Sequence, residues 1–167
     1  MIKKNSNIIV KKSKISGRGI YAKRDIKKGE AVYTVRGKIH TFHPDDDSWS
    51  MQNAVGYEKN KWLNPDPDNA LRFTNHSCEP NSILARGMKV IALRDIKKDE
   101  EITIDYSFTE GDSGSEMGRC YCKSKGCRKE IKSIHHIQKS KLLKYKKYLP
   151  RWITESYNEI KKKKQVK

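Results

Sequence analysis

The sequence predicts a mainly β (α+β) chain, built from several small stacked sheets and closed by a helical C-terminal tail. Three observations lead there. Short β-branched runs, among them Ile8-Ile9-Val10, Ala31-Val32-Tyr33-Thr34-Val35 and Ile102-Thr103-Ile104, are bounded by Gly, Pro, Asn and Asp, the pattern of short strands and turns. A heptapeptide recurs: Arg24-Asp25-Ile26-Lys27-Lys28-Gly29-Glu30 returns as Arg94-Asp95-Ile96-Lys97-Lys98-Asp99-Glu100, and each copy leads into an apolar run. After Cys127 the apolar spacing widens to helical intervals through Ile134, Ile137, Leu142, Tyr145 and Leu149.

Taken in order, Ile8-Ile9-Val10 is the first strand. Ser16-Gly17-Arg18-Gly19 turns the chain and Ile20-Tyr21-Ala22 resumes it. Glycine lets backbone amides approach a ligand closely, and a plain hairpin turn is the competing reading of the same residues. No strand, Gly-x-Gly-x-x-Gly and helix follow one another, which excludes a dinucleotide-type fold. Residues 37–70 are expected to be irregular, broken at His43-Pro44-Asp45-Asp46-Asp47 and Asn64-Pro65-Asp66-Pro67-Asp68-Asn69. Their aromatics Trp49, Tyr57 and Trp62 read either as packing or as a groove lining. Ser82-Ile83-Leu84-Ala85 and Lys89-Val90-Ile91-Ala92 are further strands, turned by Arg86-Gly87-Met88. Gly111-Asp112-Ser113-Gly114-Ser115 is a flexible linker. Pro150 breaks or restarts the helical segment, and Trp152, Ile153, Tyr157 and Ile160 form a second stripe.

The chain carries 37 Lys/Arg against 20 Asp/Glu, a net charge of +17. The distribution is uneven. Residues 1–40 hold 12 basic and 2 acidic residues, residues 41–118 hold 8 and 15, and residues 119–167 hold 17 and 3. An acidic middle between basic ends reads as an acidic substrate face beside a basic docking face, or as plain solvated surface. No apolar run approaches the roughly 20 residues of a membrane span, and Met1-Ile2-Lys3-Lys4-Asn5-Ser6-Asn7 has no apolar signal core. The expectation is an intracellular chain, cytoplasmic or nuclear, with no membrane partner.

The four cysteines sharpen this. Cys78 lies in Arg72-Phe73-Thr74-Asn75-His76-Ser77-Cys78-Glu79-Pro80-Asn81, a stretch of amides, imidazole, thiol and guanidinium too polar for an ordinary core element. The other three are Cys120, Cys122 and Cys127. Three close thiols and one distant thiol suit a closed tetrahedral Zn(2+) site, and free thiols fit a reducing compartment.

With these motifs assembled, the chain resembles the SET-domain protein-lysine methyltransferases. The likeness rests on Gly17-Arg18-Gly19-Ile20-Tyr21, Arg72-Phe73-Thr74-Asn75-His76-Ser77-Cys78, Glu101-Ile102-Thr103-Ile104-Asp105-Tyr106 and the C-terminal cysteines, in the family's order over residues 8–131. It implies a SET domain at 8–110 with a variable insert at 37–70, a post-SET zinc segment at 116–131, and basic C-terminal helices and tail at 132–167. It also implies a pseudoknot, in which the Asn75-His76 strand threads beneath the loop carrying Tyr106. S-adenosylmethionine would be held by Gly17, Arg18, Gly19, Tyr21, Arg72, Phe73, Asn75, His76 and Tyr106. Zinc would be held by Cys78, Cys120, Cys122 and Cys127. The substrate channel would be lined by Ile104, Tyr57 and Trp49. The family's pre-SET cysteines are absent.

Methyl transfer to lysine needs a neutral amine. Free lysine has a pKa of about 10.4, so an apolar channel must disfavour its charged form. Alignment then contributes on the order of 7–11 kcal/mol, and oxygen atoms around the sulfonium favour its charge. Tyr106 is the expected catalytic residue and Asp105 a structural one. In the family a Tyr or Phe two residues before the catalytic Tyr helps set the methyl count; here Ile104 stands there, with no hydroxyl and less bulk, which implies di- or trimethylation. The expected substrate is a histone or other protein with its lysine in a basic segment, the basic ends meeting nucleic acid or nucleoprotein. The rival is a catalytically weak, zinc-stapled nucleic-acid-binding protein, which would need neither Tyr106, nor Asn75-His76, nor Gly17-Arg18-Gly19.

Overall fold

A computed structural model describes residues 7–41, 53–109 and 116–165. The strands among them are β1 (Ile8–Lys12), β2 (Arg18–Ala22), β3 (Ala31–Thr34), β4 (Gly37–Thr41), β5 (Val55–Glu58), β6 (Lys61–Pro65), β7 (Asn75–His76), β8 (Ser82–Ala85), β9 (Lys89–Ala92), β10 (Glu101–Ile104), β11 (Glu116–Arg119) and β12 (Glu130–Lys132). Two α-helices follow, α1 (Lys139–Tyr145) and α2 (Arg151–Gln165). The strands form small sheets in the orders β1-β2-β10-β7, β3-β9-β8, β4-β6-β5 and β11-β12, the mainly β arrangement expected. No helix among the described residues is long and apolar enough to cross a membrane.

The main core fills from strand residues whose alternate side chains face inward. Ile8, Ile20, Ala22, Val32, Val55, Leu63, Leu84, Val90, Ala92, Ile102 and Ile104 all belong to one buried cluster. The recurring heptapeptide holds two of these sheets together. Ile26 and Ile96, both fully buried, exchange backbone hydrogen bonds of 2.8 and 2.9 Å. Asp25 accepts from the Lys98 N–H and Asp95 from the Lys28 N–H, each at 2.9 Å. Each copy thus caps the turn of the other. Gly29 (φ 85°) and its counterpart Asp99 (φ 63°) are both left-handed, a conformation that glycine adopts freely and aspartate tolerates better than most residues.

Residues 37–70 depart from the irregular course expected of them, because β4, β5 and β6 form a three-stranded antiparallel sheet. Of the expected breakers, Asn64 and Pro65 end β6, and 43–47 lie outside the described residues; Asn60 (φ 61°) turns β5 into β6. Edge strands such as Gly-Lys-Ile-His-Thr carry little of the β-branched alternation that marks strands elsewhere. The linker at 111–115 lies outside the described residues.

The C-terminal segment builds a second core. Ile134, Ile137, Leu142, Tyr145, Leu149, Ile153 and Tyr157 bury together with Ile83 of β8 and Phe108. Phe108 and Tyr145 meet edge to face, with centroids 5.4 Å apart. Ile134–His136 is a 3-10 turn, not part of an α-helix, and the α-helix begins only at Lys139. Pro150 lies directly before Arg151, where its missing N–H costs α2 nothing. Trp152 of α2 lies on β5: a Cβ added to Gly56 would meet the Trp152 ring at 2.3 Å. The glycine is therefore a seat for the indole, which ties the insert to the C-terminal helix. Ile153→Ala is predicted to cost about 2–5 kcal/mol, since it opens a cavity in this second core. Denaturant unfolding checks it, and a cost below about 1 kcal/mol would show that α2 does not pack as described.

Candidate active site

The site assembles where β7 runs parallel to β10, with Thr103 opposite Asn75 and Ile104 opposite His76. A 3-10 turn at Ala70–Phe73 delivers β7. The Asn69 side chain caps that turn by accepting from the Leu71 N–H at 3.0 Å, and the Thr74 hydroxyl donates to the Ala70 carbonyl at 3.0 Å. β10 delivers Asp105 and Tyr106. Tyr106 then clasps β7 at two points. Its N–H donates to His76 Nδ1 at 3.2 Å, and its hydroxyl donates to the Thr74 carbonyl at 2.7 Å. Burial, with the charge of Glu101 adding, pushes the Tyr106 hydroxyl up to about 12. It stays protonated at neutral pH and acts as a donor and dipole. Tyr33, which nothing in the sequence singled out, bonds the Thr74 hydroxyl at 2.5 Å.

His76 is buried and its pKa is pushed down to about 4 by desolvation. Asp105 pulls the other way, and Arg128 and Lys141 reinforce the depression. The ring is therefore neutral. Since Nδ1 accepts from Tyr106, the proton is on Nε2, which lies 3.4 Å from Cys78 Sγ. One imidazole thus joins the Tyr106 segment to the thiols.

Asp105 is the buried carboxylate of the site, its side chain 0% exposed. Arg128 grips it with two bonds of 2.7 Å in the fork geometry that suits guanidinium and carboxylate. Lys141 Nζ of α1 donates to it at 2.8 Å, and the Ser107 N–H at 3.1 Å. Burial alone would raise its pKa; Arg128 and Lys141 outweigh that and hold it below the usual carboxylate range. Its structural role was expected; its partners were not.

The Cys78, Cys120, Cys122 and Cys127 Sγ atoms all lie within 4.8 Å of one another, and Cys78 and Cys120 are 3.7 Å apart. Four sulfurs about 2.3 Å from a central zinc would be separated by about 3.8 Å along each tetrahedral edge. Backbone N–H groups of Arg128, Lys129 and Cys78 point at Cys78, Cys127 and Cys122 Sγ at 3.3, 3.4 and 3.5 Å. Burial pushes the Cys78 thiol up. At Cys122 burial acts likewise, but the Cys78 N–H and Ser124 outweigh it, bringing that thiol down to about 6. The donor set fits a zinc ion, which would serve as a crosslink between residue 78 and the 120–127 segment.

The glycine loop lies beside β7 and β10. Gly17 is left-handed (φ 46°), while Gly19 is a contact glycine: a Cβ there would meet Glu101 Oε1 at 2.3 Å. Glu101 accepts from the Ser13 hydroxyl at 2.8 and 2.9 Å, from Asn75 Nδ2 at 2.8 Å and from the Tyr21 hydroxyl at 3.1 Å. Asn75 Nδ2 also reaches the Ser16 and Arg18 carbonyls, both at 3.1 Å. The Arg18 guanidinium stacks 4.5 Å from the Phe73 ring centroid. Gly17, Arg18, Gly19, Tyr21, Phe73 and Asn75 therefore share one face with Glu101. Arg72 turns away from it: its guanidinium bonds the Pro65 and Asp66 carbonyls and Asn64 Oδ1 of the insert. Ile104 is fully buried, and Tyr57 packs half-buried against the same core. Trp49 and His43 lie outside the described residues.

Comparison with known proteins agrees with the motifs. The family model described as SET domain matches residues 17–107, more than half of the chain. The chain is 31% identical over 138 residues to the Variant-silencing SET domain-containing protein of Plasmodium falciparum, covering 71% of this chain and 5% of that protein. It is 35% identical over 135 residues to human Histone-lysine N-methyltransferase 2B, covering 72% and 5%. To a Histone-lysine N-methyltransferase, H3 lysine-36 specific, of Yarrowia lipolytica it is 30% identical over 141 residues, covering 75% and 18%. The chain thus spans only a small part of each relative's length.

Protein purified without chelator is predicted to carry one zinc per chain, counted by elemental analysis, and a metal-free preparation would refute the site. Cys122→Ser should speed hydrogen exchange in 116–132 well before it does so in β10, because the metal organises the former.

Proposed function

Because the chain belongs to the SET-domain family, we propose that it is a protein-lysine N-methyltransferase that takes its methyl group from S-adenosylmethionine. The observation that carries this reading is the half-buried, protonated Tyr106 hydroxyl held against the Thr74 carbonyl, beside Asn75 and the Gly17–Gly19 loop. S-adenosylmethionine, when bound, supplies an electrophilic methyl group on a positively charged sulfur. The loop and Asn75 fit its polar amino-acid end: their backbone and amide groups converge on one face, next to a carboxylate. His76 and Tyr106 orient that face from β7 and β10.

The lysine amine must arrive neutral and in line with the methyl carbon. Buried Ile104 and half-buried Tyr57 would supply the apolar wall that favours the uncharged amine. With S-adenosylmethionine bound, the neutral amine would take the methyl group, its lone pair forming the N–C bond as the S–C bond breaks, and the sulfonium would become a neutral thioether. Tyr106 contributes an oxygen dipole at the reacting centre and, being protonated, takes no proton itself. The zinc cysteines take no part in bond making; they hold the segment that follows the site.

The substrate in this reading is a basic protein segment, a histone or another, received by the acidic middle of the chain. The relatives named as histone-lysine methyltransferases support that class, and with it an association with chromatin. Lys139 and Lys144 of α1, with Lys146 and Lys147 of the turn that follows it, are exposed, a basic stretch suited to phosphate.

Three outcomes are expected. Tyr106→Phe should cripple turnover of a lysine peptide while leaving S-adenosylmethionine affinity nearly unchanged in calorimetry, because one hydroxyl is lost; near-normal rates refute its role. Mass spectrometry of a fully reacted peptide should show di- or trimethyl-lysine, since Ile104 has no hydroxyl to hold a water beside the amine, and Ile104→Tyr should shift the product toward one methyl. A wild-type reaction that stops at one methyl contradicts this. Binding to duplex DNA should weaken as salt rises, with each of the four lysines changed to Gln lowering the logarithmic salt slope by about 1. An unchanged slope removes the proposed phosphate face.

A further inference from the structure

Among the described residues, the Glu101 carboxylate beside the glycine loop has no cationic partner. Asp105 meets Arg128 and Lys141 at 2.7–2.8 Å, and Asp25, Asp95, Asp99, Glu30 and Glu100 each pair with a lysine or arginine. Among the described residues no lysine or arginine pairs with Glu101. Its donors are a serine hydroxyl, a tyrosine hydroxyl and an amide, all neutral. They hold the carboxylate in place without cancelling its charge.

The surroundings make this position specific. Glu101 is half-buried at the start of β10, where its backbone lies opposite Tyr21 of β2. Gly19 has no Cβ because the carboxylate fills that space. Ser13 is fixed in turn: its hydroxyl accepts from the Ile15 N–H at 2.8 Å, and its own N–H donates to the Gly17 carbonyl at 2.9 Å. The chain therefore positions the glycine loop, Asn75 and Tyr21 around one fixed negative charge. A fixed carboxylate surrounded by neutral donors favours a cation supplied from outside.

We propose that Glu101 is the counter-charge for the cationic part of the cofactor, its sulfonium and ammonium groups, and that it makes the site prefer the charged methyl donor over the demethylated product. The inference rests on the methyltransferase reading and deepens it. Methyl transfer converts the sulfonium to a neutral thioether, so the attraction to Glu101 weakens when the methyl group leaves. That difference would hold the donor more tightly than the spent product. As a residue that acts through charge and through the loop it positions, Glu101 is a positioning and specificity residue, not one that exchanges a proton.

The test measures dissociation constants, by calorimetry or competition, for three probes of decreasing positive charge. S-adenosylmethionine has a sulfonium and an ammonium, S-adenosylhomocysteine has the ammonium alone, and 5′-methylthioadenosine has neither. Glu101→Gln should weaken the first on the order of tenfold, the second on the order of threefold and the third hardly at all, as expected for loss of one nearby charge. Ser13→Ala, which removes a neutral donor and keeps the charge, should shift all three by the same factor. An equal loss for the two amino-acid-bearing probes, absent in 5′-methylthioadenosine, would overturn the preference for donor over product, because the carboxylate would then face the ammonium alone. Equal losses for all three in Glu101→Gln, or no loss, would overturn the inference and leave Glu101 as a loop staple. If that variant does not fold, the wild type decides: affinity for S-adenosylmethionine should fall with ionic strength more steeply than affinity for 5′-methylthioadenosine, and parallel dependences refute the proposal. A wild type that binds none of the three sinks the methyltransferase reading itself.

Discussion

The buried Asp105 carboxylate is the constraint on which the rest of this site depends. It sits at the end of β10, one residue before Tyr106, and draws together parts of the chain far apart in sequence. Arg128 comes from just beyond the last cysteine, Lys141 from α1 and His76 from β7. A carboxylate this buried is tolerable only when its charge and lone pairs are met. Two cations face one anion, and at the Cys78 thiol, which burial pushes up, the charge of Arg128 acts to lower it. The Arg128 N–H reaches Cys78 Sγ at 3.3 Å, and Lys141 Nζ donates to the Cys78 carbonyl at 2.5 Å. A zinc ion bearing four thiolates has a net negative charge, so ion pair and metal site complement each other.

The same arrangement explains why Tyr106 has so little freedom. Its backbone follows a fixed carboxylate, its N–H is taken by His76 and its hydroxyl by Thr74. Neutral His76 can accept from Tyr106 and face Cys78 at once only because burial and the nearby Arg128 and Lys141 keep it unprotonated. A site held in this way needs little reorganisation when ligands arrive, which is where preorganised dipoles gain their effect. The C-terminal helices belong to the same system: α1 supplies Lys141, and α2 seats Trp152 on Gly56 of the insert.

Much of this was legible in the residues. The cysteine spacing, the Asn75-His76 pair, the glycine loop and the Asp105-Tyr106 pair stood out because chemistry demands particular residue types there. The apolar rhythm of Ile134 through Leu149 marked a second buried face. What escaped was relational. Glu101, Ser13, Arg128 and Lys141 are common residue types whose roles exist only through contacts over 20 or more positions, such as Arg128 with Asp105. Tyr33 read as an ordinary strand aromatic. The insert sheet was hidden because its short edge strands are polar and its turn residues dominate the pattern. The recurring heptapeptide was visible as a repeat, yet its reciprocal capping, Asp25 on Lys98 and Asp95 on Lys28, follows from spatial proximity alone.

The claim that one carboxylate couples the Tyr106 segment, the thiol segment and α1 is tested most directly by hydrogen exchange on Asp105→Asn, which keeps the side chain's shape and removes its charge. The variant leaves Arg128 and Lys141 partly buried without their counter-charge, a loss of about 3–5 kcal/mol for a broken buried pair. The account predicts that protection falls together in β7, in residues 120–132 and in α1, while the β3-β9-β8 sheet stays protected. Loss confined to the residues next to position 105, with α1 and the cysteine segment unchanged, would contradict it.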